Sequence, residues 1–223
     1  MAYTEGEWLA AIGRAAEAIG GGDFLARLAG AFATLARHDI VTVVRYARFS
    51  KPEYLLHSGA ADEMSDADYR RVMTLNLEAT FCLCRAAIAV MKAQGGGRII
   101  NVTAVAGKAP GAGTAPTSIS RAAGIALTKA LSKDHARDNI LVNTVCIGLI
   151  KSAQIERAWQ RESEGNPGLT LDRWYEQRGS AIPIGRVGET DEAANVIVFL
   201  ASEAASYVTG LAINIDGGAS AVV

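Results

Sequence analysis

The 223-residue chain is half hydrophobic and one-fifth charged, enough to bury the core of one domain with or without a small appendage. Its 22 basic and 23 acidic side chains leave a formal charge of −1, which excludes a built-in attraction to nucleic acid or an anionic membrane and favours a small neutral partner. No uninterrupted apolar run reaches the ~20 residues that span a bilayer, and Cys82, Cys84 and Cys146 lie in apolar runs without metal-type spacing to His38, His57 or His135, so they read as reduced core thiols of a cytoplasmic protein.

In chain order, Trp8 to Ile19 and Phe24 to Ala36 carry apolar residues at helical spacing, parted by Gly20-Gly21-Gly22 with Asp23 as a candidate N-cap. Ile40 to Tyr46 is β-branched and aromatic, Lys51-Pro52 interrupts, and Tyr54 to His57 resumes, which predicts two strands. This helix, helix, strand, strand order resembles the start of the GAF-like sensor domains of some LuxR-type transcription regulators; the plainer reading is a small α+β appendage that binds nothing. A seam near Ser58 to Asp62 divides this segment, 1–60, from a second region, 61–223.

There, Ser65 with Asp68 three residues on has the form of a capping box and opens a long helix through Met91, stopped by Gly95-Gly96-Gly97. Arg98 to Val105 is the near-continuous apolar run of a strand covered on both faces. Ala115 to His135 reads as helix, Ile140 to Cys146 as a second buried strand, Thr190 as the cap of a helix to about Ser202, and Leu211 to Ile215 as a third strand before Asp216-Gly217-Gly218. Strands alternating with helices imply right-handed crossovers and an α/β fold with a parallel sheet. An insert from about Ala153 to Gly185 breaks the rhythm, as segments covering a ligand cleft often do.

Asn76 in LNLEATF, the strand GRIINVTAVAG, the helix RAAGIALTKALSKDHA, the strand ILVNTV, the stretch IPIGRVGETDEAANVIVFLASEAASYVTG and the ending INIDGG follow one another over some 160 residues. In that order they resemble the short-chain dehydrogenase/reductase family, in particular its 3-oxoacyl-[acyl-carrier-protein] reductase branch. The resemblance implies a partial Rossmann-like sheet with flanking helices, an NAD(P)-dependent oxidoreductase acting on carbonyl or alcohol substrates, and dimers or tetramers packed through the two long helices.

The family's catalytic set comes out altered. The tyrosine-to-lysine motif reads Thr117-Ser118-Ile119-Ser120-Arg121, placing Thr117 for the tyrosine and Arg121 for the lysine; counting back thirteen residues from Thr117 puts Ala104 where the family has serine. Asn76 matches the family's relay asparagine. A phenol titrates near ~10 and can be tuned by an adjacent cation, whereas an aliphatic hydroxyl lies several units higher. Arg121 offers a fixed fork of donors to ribose hydroxyls but surrenders no proton, and Ala104 offers no hydrogen bond. Loss of general acid/base chemistry costs on the order of 10² to 10⁴ in rate. Thr103, Thr114, Ser118 and Ser120 are the hydroxyls placed to compensate, or else to bond to nearby backbone.

The glycine-rich turn that holds the pyrophosphate, the charged residue after the second strand, and an Asn-Asn-Ala-Gly stretch are not found in the sequence, so weak or absent dinucleotide binding is expected. Gly107, Gly111 and Gly113 with Lys108 spell a phosphate-loop-like pattern, but family spacing puts them in a substrate-side loop. Of the nicotinamide-contacting stretch, Gly148, Ile150 and Ser152 match while Ile147 replaces proline. Three readings stand open: an oxidoreductase with Asn76, Thr117, Ser118 and Arg121 repurposed; a non-catalytic binding or assembly protein, alone or with a complete relative; and a fusion in which Ile40 to Tyr46 covers the sheet edge left open beside Arg98.

Overall fold

A computed structural model describes residues 41–44 and 64–223. The two helices upstream of residue 40, the strand at Tyr54 to His57 and the sensor-like resemblance lie outside these residues.

β1 (Val41–Val44), β2 (Gly97–Ala104), β3 (Ile140–Ile147) and β4 (Ala212–Ile215) form one parallel sheet in the order β1-β2-β3-β4. β1 pairs with β2 from Val41↔Arg98 to Val44↔Asn101, which puts a strand where Ile40 to Tyr46 was expected to cover the edge. β2 and β3 stay in register from Gly97↔Ile140 to Ala104↔Ile147. Their near-continuous apolar sequence follows from burial on both faces. Neighbouring residues of β2 point to opposite sides, so Ile99 joins Cys84, Ile88, Met91, Ile140 and Val142 in one cluster while Ile100 joins Val145, Ile197, Leu200 and Ala201 in another.

The first cluster is roofed by a helix continuous from Asp66 to Gln94: α1 (Asp66–Met73), a π-helical turn (Thr74–Glu78) and α2 (Ala79–Gln94). Ser65 Oγ accepts the Asp68 N–H at 3.1 Å and donates to Asp68 Oδ2, as its spacing predicted. The helix ends at Gly95, left-handed at φ 92°, where the Gly96 N–H returns to the Met91 carbonyl. α3 (Ala115–His135) lies beside it. α6 (Thr190–Ala201) covers the opposite face. The insert folds as α4 (Ala153–Glu164), capped by the Ser152 hydroxyl, and α5 (Leu171–Gly179), capped by Thr170.

Two buried asparagines lock these layers. Asn101 Nδ2 donates to Thr128 Oγ1 at 2.8 Å and Asn101 Oδ1 accepts from the Cys84 thiol, tying β2 to α2 and α3. Asn143 Nδ2 donates to the Val208 carbonyl while its Oδ1 accepts the Leu211 N–H, tying β3 to the approach to β4.

Two expectations need correction. Cys84 and Cys146 are buried, but Cys82 is exposed, because the helix rests on a stripe of Val72, Asn76, Thr80, Cys84, Ile88 and Met91 that excludes its neighbour. The cap of α6 is Glu189, whose N–H donates to Glu192 Oε2 at 2.7 Å; Thr190 Oγ1 instead donates to the Lys151 carbonyl. The helix of 29 residues is long and apolar enough by length and composition alone to cross a bilayer, which does not alter the reading that no uninterrupted apolar run reaches ~20 residues, since charged residues punctuate it.

Candidate functional site

The carboxyl end of β2 leads by a short turn beneath α3, and Ala104, Thr117 and Arg121, singled out in the sequence, lie on these two elements. Ala104 ends β2 opposite Ile147. A 3-10 turn, Val105–Gly107, then brings the chain beneath α3 so closely that a Cβ at Gly107 would lie 2.9 Å from Arg121 backbone and side-chain carbons. Arg121 Nη1 donates to the Val102 carbonyl at 3.2 Å. Thr117, in the first turn of α3, is half-buried, and its carbonyl accepts from Ser120 Oγ at 2.9 Å.

Asn76 reaches the same place from the π-helical turn. Its Nδ2 donates to Ser120 Oγ at 3.1 Å, and its carbonyl accepts from Thr80 Oγ1. The Asn76 Oδ1 atom is buried and has no hydrogen-bond partner. Nearby hydroxyls are spent on local structure. Ser118 and Thr114 share a 2.6 Å hydrogen bond, Thr114 Oγ1 donates to the Gly111 carbonyl, and Thr103 Oγ1 donates to the Val145 carbonyl beside Cys146 and Thr144. Burial pushes the Cys146 thiol above its ordinary range.

In the glycine-rich loop, Lys108 Nζ donates to the Ala212 carbonyl at 2.6 Å. Gly148 is set by packing, since a Cβ there would lie 2.6 Å from Asp216 Cβ and 2.8 Å from Asp216 Cα. Ile150 is buried and bridges Gly188 in parallel. The Ser152 hydroxyl accepts the Ile155 N–H. Arg121, Gly148, Ile150 and Ser152 therefore all have structural engagements within the chain.

Sequence reasoning missed a tyrosine and lysine that do sit together. Lys151 Nζ lies 5.4 Å from the Tyr175 ring centroid and donates to Glu189. Burial, aided by Glu156 and Glu189, pushes the Tyr175 phenol above its ordinary range, opposite to what proton exchange near neutrality requires. They stand 24 positions apart in the sequence, a separation that gave no signal. Arg186, whose two nitrogens grip the Glu192 carboxylate and hold it at about 2, was also missed, although Glu189 and Glu192 at capping-box spacing marked the place.

The chain matches the family described as Enoyl-(Acyl carrier protein) reductase over residues 25–220, beginning upstream of the seam near Ser58 to Asp62 and taking in β1. It is 36% identical over 158 residues to a 3-oxoacyl-[acyl-carrier-protein] reductase of Rickettsia felis, covering 71% of this chain and 61% of that protein. It is 30% identical over 177 residues to a (3R)-3-hydroxyacyl-CoA dehydrogenase of Rattus norvegicus, covering 79% and 61%. The chain thus spans about three-fifths of the length of these relatives. A crystal structure of L-sorbose reductase from Gluconobacter frateurii, complexed with NADPH and L-sorbose, superposes with a TM-score of 0.74 at 25% identity, covering 90% of this chain and 73% of that one. A parallel sheet of this order, the family match across most of its length and these relatives make the chain a member of the short-chain dehydrogenase/reductase family of oxidoreductases.

Proposed function

We propose that this chain is a non-catalytic member of its family that acts by assembly, with a second copy or with a complete relative. The observation that carries this reading is the Arg121 guanidinium donating to the Val102 carbonyl, at the position where the resemblance expects the family's lysine. An arginine there keeps its proton and so exchanges none, and the threonine at 117 offers no phenol for its charge to tune. The four positions expected to meet the nicotinamide half of NAD(P) do not fit that cofactor well: Gly148 abuts Asp216, Ile150 is buried, Ser152 caps a helix and Arg121 faces β2. Assembly is supported by apolar side chains left outside, Phe81 and Leu83 on α2 and Ile119 on α3, each close to half exposed.

Titration with NADPH, followed by cofactor fluorescence, together with turnover of a 3-oxoacyl thioester, tests the reading. No binding at millimolar cofactor and no turnover are expected; saturable binding with NADPH consumption would overturn it. Sedimentation at micromolar protein should give a dimer or larger species, reduced to monomer by Leu83→Glu.

The second reading, an oxidoreductase with repurposed residues, is favoured by one atom. Asn76 Oδ1 is buried without a protein partner, the setting in which an ordered water is held. The same turnover assay separates the two.

A further inference from the structure

We propose that the outer face of α2 and α3 docks an acidic amphipathic helix of another protein. The proposal rests on the assembly reading and narrows the partner by its charge.

Charge is divided unevenly along the chain. From Ala79 to Lys133 stand seven of its 22 cationic side chains and none of its 23 acidic ones. Three of the seven are spent inside the fold: Arg98 pairs with Glu203, Lys108 donates to the Ala212 carbonyl and Arg121 to the Val102 carbonyl. The other four, Arg85 and Lys92 on α2 and Lys129 and Lys133 on α3, are exposed. Lys92 is paired with Asp138 at 3.0 Å, just beyond α3, and Lys129 donates to the Gly210 carbonyl, a neutral group that leaves its charge in place. The formal charge of −1 for the whole chain therefore conceals a cationic layer.

The surface between those cations suits a helix. α2 and α3 run side by side, tied by Asn76 to Ser120 at one end and by Lys92 to Asp138 at the other. Their exposed positions include Ala86 and Ala89 on α2 and Ala122, Ala126 and Ala130 on α3, which recur at helical spacing and keep the relief low. Side chains this short let a third helix approach to about 8–10 Å between axes. Phe81, Leu83 and Ile119 stand 46–50% exposed on the same helices, and the Arg85 guanidinium lies 5.7 Å from the Phe81 ring centroid. Buried aromatic and arginine anchors carry much of the energy of protein interfaces. A partner helix with an apolar stripe covers the alanines and meets these three side chains, while carboxylates along its flanks meet Arg85, Lys129 and Lys133. A second copy laid on the same face brings cations to cations, so it is the weaker occupant and the one that added salt strengthens.

Fluorescence anisotropy with labelled peptides tests the proposal on the full chain. The probe is a synthetic helix of about 20 residues with a leucine and alanine stripe flanked by glutamates, and the control carries lysine for each glutamate. The glutamate peptide should bind and the lysine peptide should not, and binding should weaken as salt rises from about 50 to about 500 mM. Arg85→Gln with Lys133→Gln should cut the affinity by about two- to thirtyfold, the worth of two exposed ion pairs. Equal binding of the two peptides, an affinity unmoved by the double variant, or capture of the chain by phosphatidylglycerol vesicles without binding of the glutamate peptide would overturn it. Should the double variant not fold, the two peptides on the wild type decide alone. Self-association in sedimentation while neither peptide binds removes the acidic partner and leaves the assembly reading standing; NADPH turnover beside glutamate-peptide binding does the reverse.

Discussion

Replacing Gly148 with alanine separates the needs of the sheet from the needs of a cofactor. The glycine follows β3, its N–H donates to the Ile215 carbonyl at 2.9 Å, and it has no positive φ, so backbone strain is not what requires it. The restriction is steric: the added methyl would lie 2.8 Å from Asp216 Cα and 3.3 Å from the Ile215 carbonyl oxygen, atoms of the adjacent strand end that cannot rotate away. Relief requires parting β3 from β4 by a few tenths of an ångström, and overpacking of this kind costs about 1–3 kcal/mol. In a domain of this size, each kcal/mol lowers the melting temperature by about 2–4 °C, so Gly148→Ala should melt roughly 2–12 °C below the wild type by differential scanning calorimetry. Gly111→Ala is the control, with its nearest neighbour, Thr114 Cγ2, 4.0 Å away, and no loss is expected. If Gly148→Ala melted with the wild type while Gly111→Ala did not, the close approach of β3 to β4 would be refuted as the reason for the glycine.

Four further outcomes are expected. Of the three cysteines, Cys82 should react quickly with a disulfide reagent in the native protein, whereas Cys84, held at about 11 by burial, and Cys146 should react only on unfolding; two fast thiols would contradict the packing of α2 on β2. Glu192 is held at about 2 against an ordinary 4.5, first by the Arg186 side chain and then by the Glu189 N–H, so its stabilising contribution is fully present above pH 4.5 and lost as the pH falls toward 2. Glu192→Gln should flatten the dependence of melting temperature on pH across that window, and an unchanged slope would show that the ion pair does not form. Val43→Asp, placed in β1 opposite Ile100, should lower soluble yield by weakening the strand that covers the β2 edge; unchanged yield would argue against that pairing. Asn101→Ala strands the Thr128 and Cys84 partners of a buried side chain and should cost about 1–3 kcal/mol in urea unfolding, with a near-neutral result refuting the lock between layers.

Much of the fold was legible because local signals agreed with tertiary demands. The β2 and β3 runs are apolar without alternation since helices cover both faces, and the Ser65–Asp68 pair and the Gly95 stop are caps that work through their own neighbours. Counting along the chain also singled out Ala104 at the end of β2 and Thr117 and Arg121 on α3, whose Arg121 side chain donates to the β2 carbonyl of Val102. What the counting did not contain was the direction of each side chain.

Local pattern in the chain foretold the strands and helices from residue 64 onward and showed that neither phenol nor ammonium is among Ala104, Thr117 and Arg121. Packing of distant segments set the rest: Arg121 turns to the Val102 carbonyl, Asn76 meets Ser120 across 44 residues, and Lys151 joins Glu189 and Tyr175 at the root of the insert. These contacts join distant parts of the chain, and side-chain direction there is set by close packing and by the need to satisfy buried polar groups rather than by local spacing.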